Sequence, residues 1–365
     1  MISKILHEDL EYTFSKLSKN ELDKLKHSTI LITGCGGFLG QYHLAFFYKF
    51  GEKLNIKKVI GIDNFMLGKS PFITEIEKNI QLFDIKQMDI CSLDTTDFLS
   101  KYDVDYVVHM ASIASPTYYR KHPIETLDSN VWGLRNLLDI FSKKNIKGFL
   151  FYSSSEIYGN PLGEENIPTN ESYWGNVSPI GPRACYDEAK RFGETLCYYY
   201  EKLYSMPVSV VRLFNIYGPG MNLNDRRAPA DFANSIISNR DIEIYSDGTT
   251  TRSFCYVADS VVGELKALLS PYNGAFNIGL NEKETTIREL AETFIDVGEK
   301  ICCYKGEISF EQSKDVEYLV HDPSRRCPDL SKARTLLHFE PTISLEDGVE
   351  RYIRHILEIG ENAKW

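Results

Sequence analysis

From Ser28 onwards, short apolar runs alternate with longer amphipathic stretches. The runs are STILIT (28–33), KKVIGID (57–63), VDYVVHMA (104–111), KGFLFYSS (147–154) and PVSVVRLFN (207–215). Near-continuous apolar strands separated by helical segments predict a parallel sheet covered by helices on both faces. Upstream, Ile2, Ile5, Leu6, Leu10, Phe14 and Leu17 recur at near-helical spacing among charged residues. That spacing predicts one or two amphipathic helices docked on the main body. After about residue 215 the alternation lapses into loops rich in Asn, Asp, Gly and Arg, with a short strand at IEIYS and a helix around IRELAETF. The chain therefore divides into a helical extension at 1–27, a doubly wound nucleotide-binding domain at 28–215 and a smaller α/β substrate lobe at 216–365. Part of that last segment is expected to return to the sheet domain.

Composition narrows the function. The chain has 365 residues, 43% hydrophobic and 25% charged, with a net charge of −10. A negative balance argues against a nucleic-acid binder, whose affinity rests on clustered Lys and Arg. No apolar run approaches the roughly 18 residues needed to cross a bilayer and no signal-peptide core precedes the first helix, so a cytoplasmic protein is expected. The eight cysteines form no Cys-x-x-Cys pair and are read as reduced packing residues, with no metal site.

The first strand runs straight into Thr33-Gly34-Cys35-Gly36-Gly37-Phe38-Leu39-Gly40. Gly34, Gly37 and Gly40 have the G-x-x-G-x-x-G spacing of a Rossmann-type turn: one glycine for the tight turn, one for close approach to a pyrophosphate, one for helix packing. A second strand ends in Asp63, where a carboxylate accepts hydrogen bonds from both adenosine ribose hydroxyls and repels a 2′-phosphate. NAD is therefore expected in preference to NADP. Asp89, in MDI, is placed to meet the adenine amino group.

Tyr186 and Lys190 stand four apart in SPIGPRACYDEAKR, which stacks phenol and ammonium on one helix face. A lysine charge there is expected to lower the phenol pKa towards the range of a working base. Two further Tyr-x-x-x-Lys pairs occur, Tyr12 to Lys16 and Tyr198 to Lys202; Tyr186 is singled out by the glycine loop, acidic strand end and serine cluster upstream, in the order one fold requires.

With HMASIASPTYY, SSSEIYG, YWGNVSPIGPRACYDEAKR and RRCPDLSKAR, the chain from residue 28 to about 356 resembles the extended short-chain dehydrogenase/reductase superfamily. Within it the match is to the nucleotide-sugar epimerases, dehydratases and decarboxylases, and most of all to the UDP-glucuronate decarboxylase group. The resemblance implies NAD held by Gly34, Gly37, Phe38, Leu39, Gly40, Asp63, Asn64, Asp89, Ile90, Met110, Ala111, Ser112, Tyr186 and Lys190. It implies a catalytic set of Ser154, Ser155, Glu156, Tyr186 and Lys190. In that set Tyr186 takes the C4 proton, Lys190 lowers its pKa and holds the nicotinamide ribose, and Ser154 hydrogen-bonds the nascent carbonyl. The 4,6-dehydratases resemble one another in an Asp-Glu pair where this chain has Ser155-Glu156, so the acid for water loss is missing. A 4-keto uronate, by contrast, loses CO2 without an acid. Ser155 is expected to donate to the sugar carboxylate, and Glu156 either to order a water or to be protonated by burial.

The same resemblance implies nucleotide-sugar contacts from Asn215, Arg227, Tyr245, Arg252 and Arg325, in addition to Ser155. Departures from the pattern fall at Cys35 and Gln41-Tyr42-His43 near the glycine loop, and at Gly220 and Thr250 in the substrate lobe. A C4 epimerase or 4,6-dehydratase of another nucleotide sugar, and an NAD-bound regulatory or scaffold protein, stay open as alternatives. The aromatic cluster LCYYYEKLY, together with the resemblance, predicts a homodimer through segments near 123–145 and 182–205.

Overall fold

The computed structural model describes residues 2–281, 284–313, 315–317 and 319–360. Its centre is a seven-stranded parallel sheet. Six strands follow in chain order: β1 (Thr29–Thr33), β2 (Lys58–Asp63), β3 (Phe83–Gln87), β4 (Tyr106–His109), β5 (Gly148–Ser154) and β6 (Val208–Leu213). A seventh, Gly274–Ile278, comes from the C-terminal part of the chain and pairs with β6. Across the sheet the order is Gly274–Ile278, β6, β5, β4, β1, β2, β3. The strand order reverses between β1 and β4, and in a doubly wound sheet a crevice opens at that point beyond the carboxyl ends of the strands.

The five strands expected from apolar runs are present, and two more are not obvious from hydrophobicity. β3, FDIKQ, is an edge strand whose charged Asp84 and Lys86 lie half-buried, so no continuous apolar run marks it. Gly274–Ile278 is short, and its Asn277 is fully buried because Tyr158, Thr169, Glu171 and Asp329 satisfy its polar atoms. Buried polar groups are tolerated where partners are supplied, and those partners come from distant segments.

Two N-terminal helices are present, α1 (Lys4–Ser15) and α2 (Lys19–Leu25). α2 begins with a capping box, Ser18 and Glu21 each bonding the other's backbone N–H. α1 packs its buried face, including Leu6 and Leu10, on the helices Val257–Leu269 and Leu345–Ile359. Its Asp9 is fully buried, held by Tyr256 and Arg351.

C-terminal of β6 the chain forms two-stranded pairs: Ile216–Tyr217 with Cys255–Tyr256, Thr251–Arg252 with Thr285–Thr286, and Ile242–Ile244 with Ile308–Phe310. Helices Ala228–Ile237, Ile287–Cys302 and Leu345–Ile359 cover them. The helix expected near residue 287 extends to Cys302, started by a Thr286–Glu289 capping box. This arrangement sets Arg252 and the loops at 219–227 and 319–326 beside the carboxyl ends of the central strands.

Candidate active site

A cleft of about 360 Å³ opens past the ends of β1, β5 and β6, and shares Gly34, Leu67, Met110 and Ser112 with an adjoining cavity of about 180 Å³ at the ends of β2 and β3. The smaller cavity is lined by Asp63, Asn64, Asp89, Ile90, Met110, Ala111 and Ser112. Phe38, Leu39 and Gly40 line the larger one. Gly37 lines neither, and serves as the N-cap of helix α3 (Phe38–Phe50) with no side-chain cap. The backbone N–H groups of that first turn have no side-chain partner there, which is the arrangement that suits an anionic ligand.

The glycine loop admits no side chains at two points. Gly34 has φ +73°, and a Cβ on it would lie 2.6 Å from the Ala111 amide nitrogen; one on Gly40 would lie 2.3 Å from the Gly34 carbonyl. Asp63 folds back on this loop, its two oxygens accepting from the Gly36 and Phe65 amides at 2.8 and 2.7 Å. Each carboxylate oxygen retains a second lone pair for a ribose hydroxyl. Burial raises the Asp63 carboxyl above its ordinary value, opposed by those two amides. An uncapped helix end, a close-packed glycine turn and a sunken carboxylate at the next strand end fit a dinucleotide such as NAD. The departures nearby are absorbed by packing: Cys35 is fully buried, and Gln41 donates to the Gly36 carbonyl at 2.9 Å.

At the larger cavity Ser154 and Ser155 end β5 and begin a short turn, while Tyr186 and Lys190 lie on the helix Ala184–Tyr204. All four line the cleft. Lys190 donates to the Tyr152 carbonyl at 2.6 Å, and its Nζ sits 5.5 Å from the Tyr186 ring centroid. The Tyr152 hydroxyl in turn meets His43 and Glu264, each at 2.8 Å, so the unusual His43 helps fix the strand that holds Lys190.

The expected lowering of the Tyr186 pKa is not found in the protein alone. Burial pushes the phenol up to about 12 against the hydrogen bond from Ser154, and burial pulls Lys190 down to about 7. Taking both groups out of water disfavours the charged form of each. A working phenolate therefore needs positive charge from a bound group.

Glu156 also departs from expectation. It is not left to be protonated by burial; Arg326 forks onto its two oxygens at 2.8 and 2.7 Å and Arg183 adds a contact at 2.6 Å. Despite the burial that raises it, the charges of Arg183 and Arg326 hold its carboxyl down at about 2. Arg252 completes a three-arginine cluster, bonded to Asp322, and Arg183 reaches the same aspartate. Asp187 lies behind the cluster, 3.9 Å from Arg183, where burial and the nearby Glu156 charge push it up to about 8.

Asn215, Arg227, Tyr245, Arg252 and Thr250 line the cleft, whereas Arg325 and Gly220 do not. Arg325 is paired with Glu284 and Glu164 away from the cavity, and its neighbour Arg326 points inward instead. The sequence RRCPD offers two adjacent arginines with no periodicity to choose between them. Arg183 and Asp322 are further cleft residues that the sequence reading omitted. Arg183 had a visible signal, three residues before Tyr186 at the helix entry; Asp322 had none.

Comparison with known proteins agrees with this arrangement. A model of the NAD dependent epimerase/dehydratase family matches residues 30–279. UDP-glucuronic acid decarboxylase 6 of Arabidopsis thaliana is 38% identical over 320 residues, covering 88% of this chain and 86% of that one. UDP-glucuronic acid decarboxylase 1 of Danio rerio is 34% identical over 354 residues, covering 96% and 78%. Among solved structures, UDP-glucuronic acid 4-epimerase from Bacillus cereus, in complex with UDP-glucuronic acid and NAD, superposes with a TM-score of 0.74 at 28% identity, over 91% of this chain and all of that one. On fold, loop and sequence together, the chain belongs to the NAD dependent epimerase/dehydratase family.

Proposed function

We propose that the protein is an NAD-dependent decarboxylase of UDP-glucuronate, producing UDP-xylose or the UDP-4-keto-pentose. The observation that carries this reading is the cluster around Ser155: three cleft-lining guanidiniums, Arg183, Arg252 and Arg326, against two carboxylates, Glu156 and Asp322. A site with surplus positive charge suits a sugar acid better than a neutral hexose. The decarboxylases similar in sequence over most of their length support the same substrate.

NAD bound in the cleft supplies the hydride acceptor and, through its cationic nicotinamide, a charge of the sign that lowers a nearby phenol. Tyr186 removes the C4 hydroxyl proton and Ser154 hydrogen-bonds the oxygen as it becomes a carbonyl. With a ketone at C4, the C5–C6 bond breaks, its electron pair passes into the C4–C5 enolate and CO2 departs. Ser155 and the arginines seat the carboxylate. No proton donor is needed for the loss of CO2 itself; the enolate then takes a proton at C5 from solvent to give the 4-keto-pentose, and return of the hydride and a proton to C4 would give UDP-xylose. Neither residue following Ser154 offers an acid: Ser155 is a neutral hydroxyl and Glu156 is held ionised. Elimination of a C6 hydroxyl, which needs an acid, is disfavoured.

Incubating the NAD-loaded protein with a panel of nucleotide sugars and measuring product masses tests this. Loss of CO2 from UDP-glucuronate is expected. Loss of water from a nucleotide hexose, or inversion at C4 with unchanged mass, would replace this reading with a dehydratase or an epimerase.

We also propose a homodimer. On the helix Ala184–Tyr204, Phe192, Tyr199 and Leu203, spaced i, i+7 and i+11 on one face, are exposed, and Ile124 and Trp132 on the preceding helical segment are also exposed. An apolar face of this kind suits a two-fold helical interface. Light scattering at micromolar concentration is expected to give twice the chain mass, and a monomer mass would refute it.

A further inference from the structure

The two carboxylates of the arginine cluster are held in different ways. Glu156 rises from the turn that closes β5 and receives three donors, two from Arg326 and one from Arg183. Asp322 comes from the irregular run 319–330 before the helix Ser331–Leu337, and gives one oxygen to each of two arginines. Arg252 Nη2 donates to its Oδ2 at 2.8 Å, and Arg183 Nη1 to its Oδ1 at 3.4 Å. The Asp322 side chain is 23% exposed, against 15% for Glu156. Glu156 is built into the sheet end, and Asp322 reaches in from a loop.

Asp322, Arg183 and Arg252 line the same cleft as Ser155 and Tyr186. If Asp322 swung out alone, Arg252 would lose the carboxylate it donates to, while Arg183 kept Glu156, and an uncompensated buried charge is strongly unfavourable. If another carboxylate enters as Asp322 leaves, the count of charges and the donor geometry are both preserved. A neutral hydroxymethyl group offers no such exchange.

We propose that Asp322 is an internal stand-in for the sugar carboxylate: it occupies the anion position between Arg252 and Arg183 in the free enzyme and yields it to an acidic sugar. The proposal rests on the nucleotide-uronate reading above. It makes Asp322 a specificity-determining residue, because the position opens only to a ligand that restores the charge balance. Once the carboxylate has left as CO2, Asp322 returns and the pentose product has nothing with which to hold it out.

A stand-in lowers the apparent affinity of the ligand it resembles by the fraction of enzyme in which the position is free. In Asp322→Asn the shape is kept and the competing charge is gone. Calorimetry on the NAD-loaded, full-length variant is expected to show UDP-glucuronate binding roughly tenfold more tightly than to the wild type, with a matching fall in KM and no rise in kcat. Binding of UDP-glucose and UDP-xylose should shift by less than about twofold. Weaker binding of UDP-glucuronate, an equal shift for all three ligands or no shift in any would overturn the proposal. Should the asparagine variant fail to fold, Asp322→Ser carries the same expectations. The wild-type arm separates the two readings: if wild-type protein does not prefer UDP-glucuronate to UDP-glucose, the uronate reading itself fails, whereas a normal preference left unchanged by the variants rejects only the role of Asp322.

Discussion

At the dinucleotide end of the cleft, Gly34, Gly37, Phe38, Leu39, Gly40, Asp63 and Asn64 all fall within about thirty residues, on one strand–turn–helix–strand unit. At the sugar end, Glu156, Arg183, Arg252 and the pair Asp322 and Arg326 come from four separate segments, and the Arg326–Glu156 fork joins residues 170 apart. The first end works through backbone geometry: positive φ at Gly34, a helix N-terminus and amides folded onto Asp63. The second works through side-chain charge in a buried place, where ions are costly to place and costlier to leave unpaired. A local unit tolerates neighbours such as Cys35 and Gln41, because the turn decides its shape. The charge cluster depends on every member being delivered by the tertiary fold.

That contrast predicts separable effects, beginning with the largest. Tyr186→Phe should reduce turnover by about a thousandfold or more while leaving NAD binding nearly intact, since the phenol acts in the chemical step. The check is product mass alongside dinucleotide released on denaturation, and parallel loss of NAD would place Tyr186 in cofactor binding instead.

Next comes Arg326→Ala, which leaves Glu156 with Arg183 alone. We expect destabilisation of about 3–5 kcal/mol, the usual consequence of breaking a buried pair, read from urea unfolding. Arg325→Ala, one residue away but partly exposed and outside the cleft, should change stability by about 1 kcal/mol or less. Equal effects would show that the two arginines are not distinguished as the structure has them.

Glu156 also carries a pH signature. Its folded pKa is held down at about 2 from the ordinary 4.5, so its contribution is complete above pH 4.5 and is lost as pH falls towards 2. Glu156→Gln should therefore flatten the stability curve between those values, in denaturant midpoints taken across the acid range. An unchanged slope would mean that the folded protein does not hold the Glu156 pKa below its ordinary value.

The smallest effect belongs to the dinucleotide end. Asp63→Asn should narrow the preference for NAD over NADP by roughly tenfold in calorimetry, by removing the charge that repels a 2′-phosphate. Sugar specificity should not move. A change in sugar preference with intact dinucleotide preference would dissolve the distinction between the two ends.

Patterns of hydrophobicity and spacing determined the parallel α/β class, five of the seven sheet strands, the glycine turn with Asp63 and the pairing of Tyr186 with Lys190. Each is set by near neighbours: strand alternation, turn stereochemistry and helical pitch act over a few residues, so sequence alone displays them. The edge strand β3 and the strand Gly274–Ile278 escaped because an exposed edge needs no apolar run and a buried Asn277 is satisfied only by distant partners. Tertiary structure alone decided that Arg326 rather than Arg325 enters the cleft, that Glu156 is ionised between two guanidiniums, and that Asp322 closes the cluster. It also overruled the expected lowering of the Tyr186 pKa, because burial was not visible in a four-residue spacing. Ionisation and charge pairing depend on what surrounds a group in space, and those surroundings exist only once segments far apart in the chain have packed together.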